Sequence, residues 1–365
     1  MIQRLRLLYT IVAGLATLPV LVAQKYSNEF LAIGAGARAH GMGHAVVASV
    51  KDPTAAIWNP AGLADPDAAE SPQIAAMHAE WFAGVGKFDF MSVALPGKRP
   101  ATALGISLIR FGIDEIPNTL SLYESDGTVN FDNIREFSAA DYALFMSYAR
   151  RIERTRGAWL LGGSAKIVHR RIGPFANAWG FGMDIGAQYH RQSWRFGVLA
   201  RDLTNTFNAW SFHFSEADKQ TLQLTNNEIP INSLEITRPQ LLLGIAKSFK
   251  LSPRWTLLPE IDCTIHTDGP RNVLLSGDPF SLDPGIGLEA ALRDVLFLRA
   301  GMRQFQYQTG FSAKEVLSPT PGIGIGLRFG NLFVDYAFTN LSAQQHAYSH
   351  IVSLALKVKQ KKTTL

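Results

Sequence analysis

WTLLPEIDCTIH, Trp255 to His266, alternates without a break. One set of residues reads Trp255, Leu257, Pro259, Ile261, Cys263 and Ile265. The other reads Thr256, Leu258, Glu260, Asp262, Thr264 and His266. Side chains of a strand point to opposite faces with period two, so the stretch predicts a strand with one apolar and one mostly polar face. A soluble β-sandwich alternates in the same way. What fills the polar face separates the two cases.

Outward from this stretch, WGFGMDIGAQYH (Trp179–His190), IGLEAALR (Ile286–Arg293), GIGIGLRFG (Gly322–Gly330) and LFVDYAFT (Leu332–Thr339) repeat the pattern. Their second face is Gly, Ala and Ser punctuated by charges of both signs. It is not a continuous Lys/Glu/Thr surface. Small residues with mixed charges suit the crowded interior of a barrel, and Trp179, Tyr189, Trp194, Trp255, Tyr336 and Phe338 suit aromatic girdles at membrane interfaces. Only 18% of residues are charged, against about a quarter in soluble domains.

Strands are predicted near 73–83, 87–96, 101–111, 138–150, 157–170, 178–190, 194–202, 238–249, 254–266, 284–293, 296–306, 321–329, 332–340 and 347–358. That makes about fourteen, an even number as in bacterial outer-membrane barrels. The gaps after even-numbered strands are short, as in GKRP, RQS and GN. The long ones follow odd-numbered strands: Gly112–Phe137, Leu203–Thr237, Thr267–Asp283 and Tyr307–Thr320. A sandwich has no reason to sort its loops by parity, whereas a barrel with periplasmic turns and extracellular loops does.

The N-terminus, with Arg4 and Arg6 before an apolar stretch ending at Ala23, has the form of a secretory signal and is set apart as residues 1–23. No later stretch reaches the ~18 apolar residues of a membrane helix. The exported chain therefore spans a membrane, if at all, with strands. Cys263 is the one cysteine, so no intrachain disulfide forms. The net charge of +5 is spread out, with one dense basic run, KVKQKKTTL (Lys357–Leu365), that includes the tail 359–365. A solvated periplasmic end outweighs a nucleic-acid role there.

Residues 24–72 do not alternate. Gly34, Gly36, Gly41 and Gly43 permit tight turns. GAGARAHGMG has neither the Gly-Lys-Ser/Thr nor the strand–helix frame of a phosphate loop. In DPTAAIWNPAGLAD (Asp52–Asp65), Asp52 can cap a short helix at Pro53–Ala56. Pro60 pushes Asn59 out of helical geometry, leaving Trp58 as a large anchor before the turn at Ala61.

ARAHGMGHAVVASVKDPTAAIWNPAGLA resembles the start of the PorV/PorQ family of Bacteroidetes-type outer-membrane barrels, and ITRPQLLLGIA and FVDYAF agree with it further on. That family is similar in turn to FadL-type fatty-acid transporters, whose N-terminal hatch carries a comparable Asn-Pro-Ala. The resemblance implies an all-β, antiparallel transmembrane barrel over 73–358 with residues 24–72 folded inside as a hatch. It also implies an accessory role in type IX secretion or surface attachment, with outer loops holding a translocon or exported cargo. The alternative it leaves open is a FadL-like transporter of hydrophobic small molecules.

Candidate sites follow. Lys166, Asp184, Glu260, Asp262, Glu289, Arg299, Arg303, Arg328 and Asp335, with Arg170, Arg195 and Arg201, fall on the expected inner face. A charge network tying barrel to plug outweighs a selective pore, because buried charges need partners. Trp210, Phe212 and Phe214 stand in the longest loop as candidate partner anchors. His266 and Asp268 lack a second cluster for a metal, and no nucleophile elbow occurs. The expectation is a non-enzymatic barrel without cofactor, monomeric in outer-membrane lipid.

Overall fold

The computed structural model describes residues 27–81, 84–124, 126–309, 315–340 and 348–358. The signal segment 1–23 and the tail 359–365 lie outside them.

Seventeen strand segments form one sheet. The first six are β1 (Gln73–Trp81), β2 (Gly86–Pro96), β3 (Thr102–Asn118), β4 (Arg135–Arg154), β5 (Gly157–Ile172) and β6 (Ala176–Arg191). Then come β7 (Trp194–Arg201), β8 (Phe207–Phe212), β9 (Ser233–Ile236), β10 (Gln240–Lys247) and β11 (Phe249–Lys250). The last six are β12 (Trp255–His266), β13 (Ser281–Leu292), β14 (Leu296–Thr309), β15 (Glu315–Phe329), β16 (Leu332–Asn340) and β17 (Tyr348–Lys357). All pairings are antiparallel, and β1 meets β17 from Gln73↔Lys357 to Ala79↔Ile351, so the sheet closes without an edge. Closure satisfies every ladder group where lipid offers no partner.

The segments make fourteen staves. β7 and β8 share one, pairing with the lower (Ile185–Arg191) and upper (Ala176–Phe181) parts of β6. β9 pairs with β8, and β10 pairs with both β7 and β12, so these two share the next stave. Both staves are interrupted side by side, at 202–206 and 237–239.

Two expected loops are shorter than predicted. β3 and β4 run on to Asn118 and from Arg135, and β14 and β15 run on to Thr309 and from Glu315. The expected Leu203–Thr237 loop holds β8, β9 and a helix at Glu216–Leu224. Beyond the lipid belt both faces are wet, so pairing continues while hydrophobic alternation stops. Bulges between Ile113 and Ile116 and between Arg303 and Gln306 shift the phase as well.

Outward side chains are apolar and open. Met91, Ile106 and Ile323 are each about 60% exposed, as lipid-facing positions of a transmembrane barrel are. Among the described residues no helix is long and apolar enough to cross a membrane. Some inward positions are small, and others carry buried large residues such as Phe88, Phe90 and Lys166. Ser92 bonds Ser107 at 2.8 Å and Ser147 bonds Ser164 at 2.7 Å; Ser92 and Ser164 also donate to Pro53 and Ala56 carbonyls of the segment inside.

That segment touches the wall through glycines. A Cβ on Gly162 would strike Pro60 and Ala61; on Gly186, Asn59; on Gly197, Val47; on Gly287 and Gly301, Met42; on Gly322, His40. The glycine-rich second face of the strands is therefore room for the backbone of a plug. Neighbours Gly162 and Gly163 test this, since Gly163 shares the outward face with Leu161 and a Cβ there meets only ordinary contact. Gly162→Val should destabilise the folded barrel by roughly 3 kcal/mol or more in urea titrations in detergent. Gly163→Val should stay within about 0.5 kcal/mol. Equal effects would show that the plug does not press on the wall there.

Candidate functional site

The plug descends through a 3-10 turn at Glu29–Leu31, a helix at Ala37–Gly41, a helix at Ala55–Trp58, a second 3-10 turn at Pro60–Ala64 and a last helical turn at Pro66–Ala69. Gly34, Gly36 and Gly43 take positive φ of 82°, 90° and 60°, which glycine adopts without strain. The helix predicted to start at Pro53 starts two residues later. Asp52 instead holds an Asx turn, accepting from the Thr54 amide at 2.8 Å and from its hydroxyl, while Thr54 takes the cap position. Self-bonding within the turn outcompetes the longer reach to a cap.

Asn59 is extended, at φ −166°, and ends the helix before Pro60. Its carboxamide also stitches the plug. It accepts from the Ala61 amide at 3.2 Å and donates to Val47, Ala187 and Val198 carbonyls at 3.0, 3.1 and 3.4 Å. Trp58 is buried; it donates Nε1 to the Ala35 carbonyl at 2.7 Å and packs edge-on to His44. At the short-turn end Lys51 bonds Asp67 at 2.5 Å and holds that carboxyl below its usual range, while Lys357 of β17 donates to the Asp67 carbonyl at 2.9 Å.

The expected charge network divides into parts with different partners. Lys166, 1% exposed, lies 2.8 Å from Asp184 and 2.6 Å from Asp202. Arg299 bridges Glu289 at 2.7 Å and Asp335 at 2.5 Å, and Glu289 also receives plug residue Arg38 at 2.9 Å. Glu260 and Asp262 do not join this pairing. Glu260 accepts from the amides of Ala48 and Ser49 at 2.7 and 3.2 Å, and Asp262 from those of Val46 and Val47 at 2.8 and 2.9 Å. Arg303 makes no ion pair among the described residues; it reaches the Asn340 carbonyl at 3.4 Å. Arg328 bonds the Gly330 carbonyl and lies over Phe333. Opposite charge on one face is not pairing, because strand position sets height as well as face and an irregular plug backbone offers donors that no period reveals.

Trp210, Phe212 and Phe214 are half-buried. They stack in series at 6.1 and 6.4 Å, and Phe214 continues onto Phe175 at 5.7 Å. Trp210 donates to Glu235 at 2.9 Å beneath the Arg170 guanidinium. The break in the two staves is filled by residues that sequence reasoning missed. Asn28 donates to Thr237 at 2.9 Å and accepts from Asn208 at 2.9 Å, and Thr237 donates to Ser27 at 2.9 Å. Asp268 belongs to a loop, held by Arg271 at 2.6 Å, and among the described residues no cluster has the make-up of a metal site.

Among the described residues the plug leaves two sizeable chambers. The upper one, about 210 Å³, opens toward the long loops between Trp58, His44 and the wall residues Leu242, Thr264, Asp283 and Arg303. The lower one, about 320 Å³, opens toward the short turns and is lined by Arg38, Lys51, Arg195, Phe297, Phe333 and Lys357 among others. Residues 42–49 separate them.

No family model matches this chain, and no curated protein matches it. Solved structures do. The chain is similar to the CymD monoaromatic hydrocarbon channel at 14% identity, covering 90% of this chain and 98% of that one, with a TM-score of 0.51. The P. putida toluene transporter TodX is similar at 13% identity, covering 90% and 99%, with a TM-score of 0.50. A Pseudomonas aeruginosa FadL homologue is similar at 11% identity, covering 88% and 97%, with a TM-score of 0.50. The fold is thus a FadL-like closed antiparallel barrel of fourteen staves with a short helical N-terminal segment.

The Lys166 cluster gives a direct test of the buried charges. Lys166→Met leaves Asp184 and Asp202 facing each other without a cation and should cost about 3–5 kcal/mol, read from the urea midpoint in detergent. Unchanged stability would mean that the ammonium does not hold this part of the wall.

Proposed function

We propose that this chain is a FadL-like channel of the bacterial outer membrane that admits a small molecule to the upper chamber beside Trp58. The observation that carries the reading is the chamber itself, enclosed between a plug bonded into the barrel and the wall at β10, β12 and β13. Its mouth faces the long loops, and the plug closes its floor. A barrel with a solid lumen would offer no such space. The two solved neighbours named as a hydrocarbon channel and a toluene transporter point the same way.

The type IX accessory reading rests on the PorV/PorQ-like motif around Trp58, Asn59, Pro60 and Ala61. It needs the loops to present anchors to a translocon or cargo. Trp210, Phe212 and Phe214 spend much of their surface on one another instead, so transport is the stronger reading.

Uptake decides between them. Expression in a host deleted for its own FadL-type channels should raise accumulation of labelled toluene or catechol. Ala32→Trp, at an exposed position on the chamber lining, should return accumulation to the level of the empty host while heat-modifiable gel mobility is kept. Accumulation untouched by Ala32→Trp would overturn the chamber as the route. Recovery of a large translocon with the barrel from native membranes would favour the accessory role.

A further inference from the structure

The upper chamber carries an unpaired polar set. Five buried side-chain atoms on residues that line the chamber have no hydrogen-bond partner in the structure: Asp262 Oδ1, His266 Nδ1, Asp283 Oδ1, Arg303 Nε and Gln304 Oε1. Arg303 is 6% and His266 9% exposed. Buried polar atoms are paired in the great majority of cases, so five around one space identify a place built for an occupant.

The backbone supports the same conclusion. Gln304 sits in the β14 bulge with φ 50°, a left-handed conformation that glycine would take freely and a glutamine takes at a cost. The bulge brings Gln304 and Gln306 to the chamber beside Arg303, as bulges do when they re-aim a side chain.

The set also specifies chemistry. Arg303 and Asp283 face the same chamber without forming an ion pair. The other charges at its rim are engaged at least in part: Arg271 with Asp268 and Glu29, Asp262 through Oδ2 with plug amides, and Arg201 with the Ile57 carbonyl and the Trp58 ring. An anionic ligand would meet Asp283, and a cationic one would meet Arg303. A hydroxyl both donates and accepts. Adjacent hydroxyls can donate hydrogen bonds to Asp283 and Gln304 and accept from Arg303, whereas a hydrocarbon would leave these atoms unpaired. Trp58, Leu242, Val273 and Pro284 supply apolar surface for a ring.

We infer that the upper chamber binds a small neutral ring bearing adjacent hydroxyl groups, a hydroxylated aromatic or a sugar. The inference deepens the channel reading and rests on it. Calorimetry on the full barrel in detergent, with catechol, glucose and toluene as probes, tests it. One of the two diols should bind at least about tenfold more tightly than toluene, as a site built to hydrogen-bond hydroxyls discriminates, and which one binds assigns the ring. Asp283→Asn and Gln304→Gly should each weaken that binding about fivefold or more. Gln304→Gly suits the backbone, so lost binding with unchanged gel mobility points to the side chain and not to folding. Toluene binding as tightly as both diols would overturn the inference and leave the channel standing. Binding of none of the three would overturn both. Diol binding indifferent to both substitutions would overturn the site.

Discussion

Irregular backbone at the depth of a membrane has to find its hydrogen-bond partners within protein, and residues 46–49 find theirs on two carboxylates. Four consecutive plug amides point at Glu260 and Asp262, neighbours on the inner face of β12. A carboxylate accepts several N–H bonds and, charged, accepts them strongly. The turn that divides the lumen into two chambers hangs on this contact. So does the position of Asn59, whose amide reaches the Val47 carbonyl from the other side. Acidic residues in the wall thus act as anchoring points for a chain that has no secondary structure of its own there.

The remaining charges do related work at other heights. Arg38 brings the plug helix to Glu289, and Arg299 carries the link on to Asp335 in β16. Lys166 closes the gap where β7 stops, drawing in Asp202 from the interrupted stave. Buried charges of this kind contribute through position more than through net energy. Arg303 and Asp283 form no ion pair, and they face the upper chamber.

Much of the barrel was legible from Trp255–His266 and its kin, because a lipid-facing side and a crowded lumen impose opposite demands on alternate residues. Loop parity gave sidedness. The glycines of the second face were readable as crowding, but what crowds them was not, since the close approach of Pro60 to Gly162 or of Met42 to Gly301 joins segments far apart in sequence. Strand ends were misjudged where β3, β4, β14 and β15 rise out of lipid and lose their apolar side. The split of two staves into β7–β8 and β9–β10 was hidden because Asn28, Asn208 and Thr237 bond across long sequence separations and leave no periodic trace. Gln304 belongs with these. A bulge puts a residue on the face that alternation denies it.

The ring of glycines has a consequence for biogenesis. Backbone seated against backbone along β5, β7, β10, β13, β14 and β15 would hinder the stoppering of a finished cylinder. Residues 34–64 would then enter the curving sheet before β1 zips onto β17. The segment then serves as a mandrel: the strands are wrapped on it, and the last seam to form joins Gln73, where the mandrel ends, to Lys357 near the other end of the sheet. Such a protein is not a pipe fitted with a valve. It is a hoop tightened around a former that stays in place.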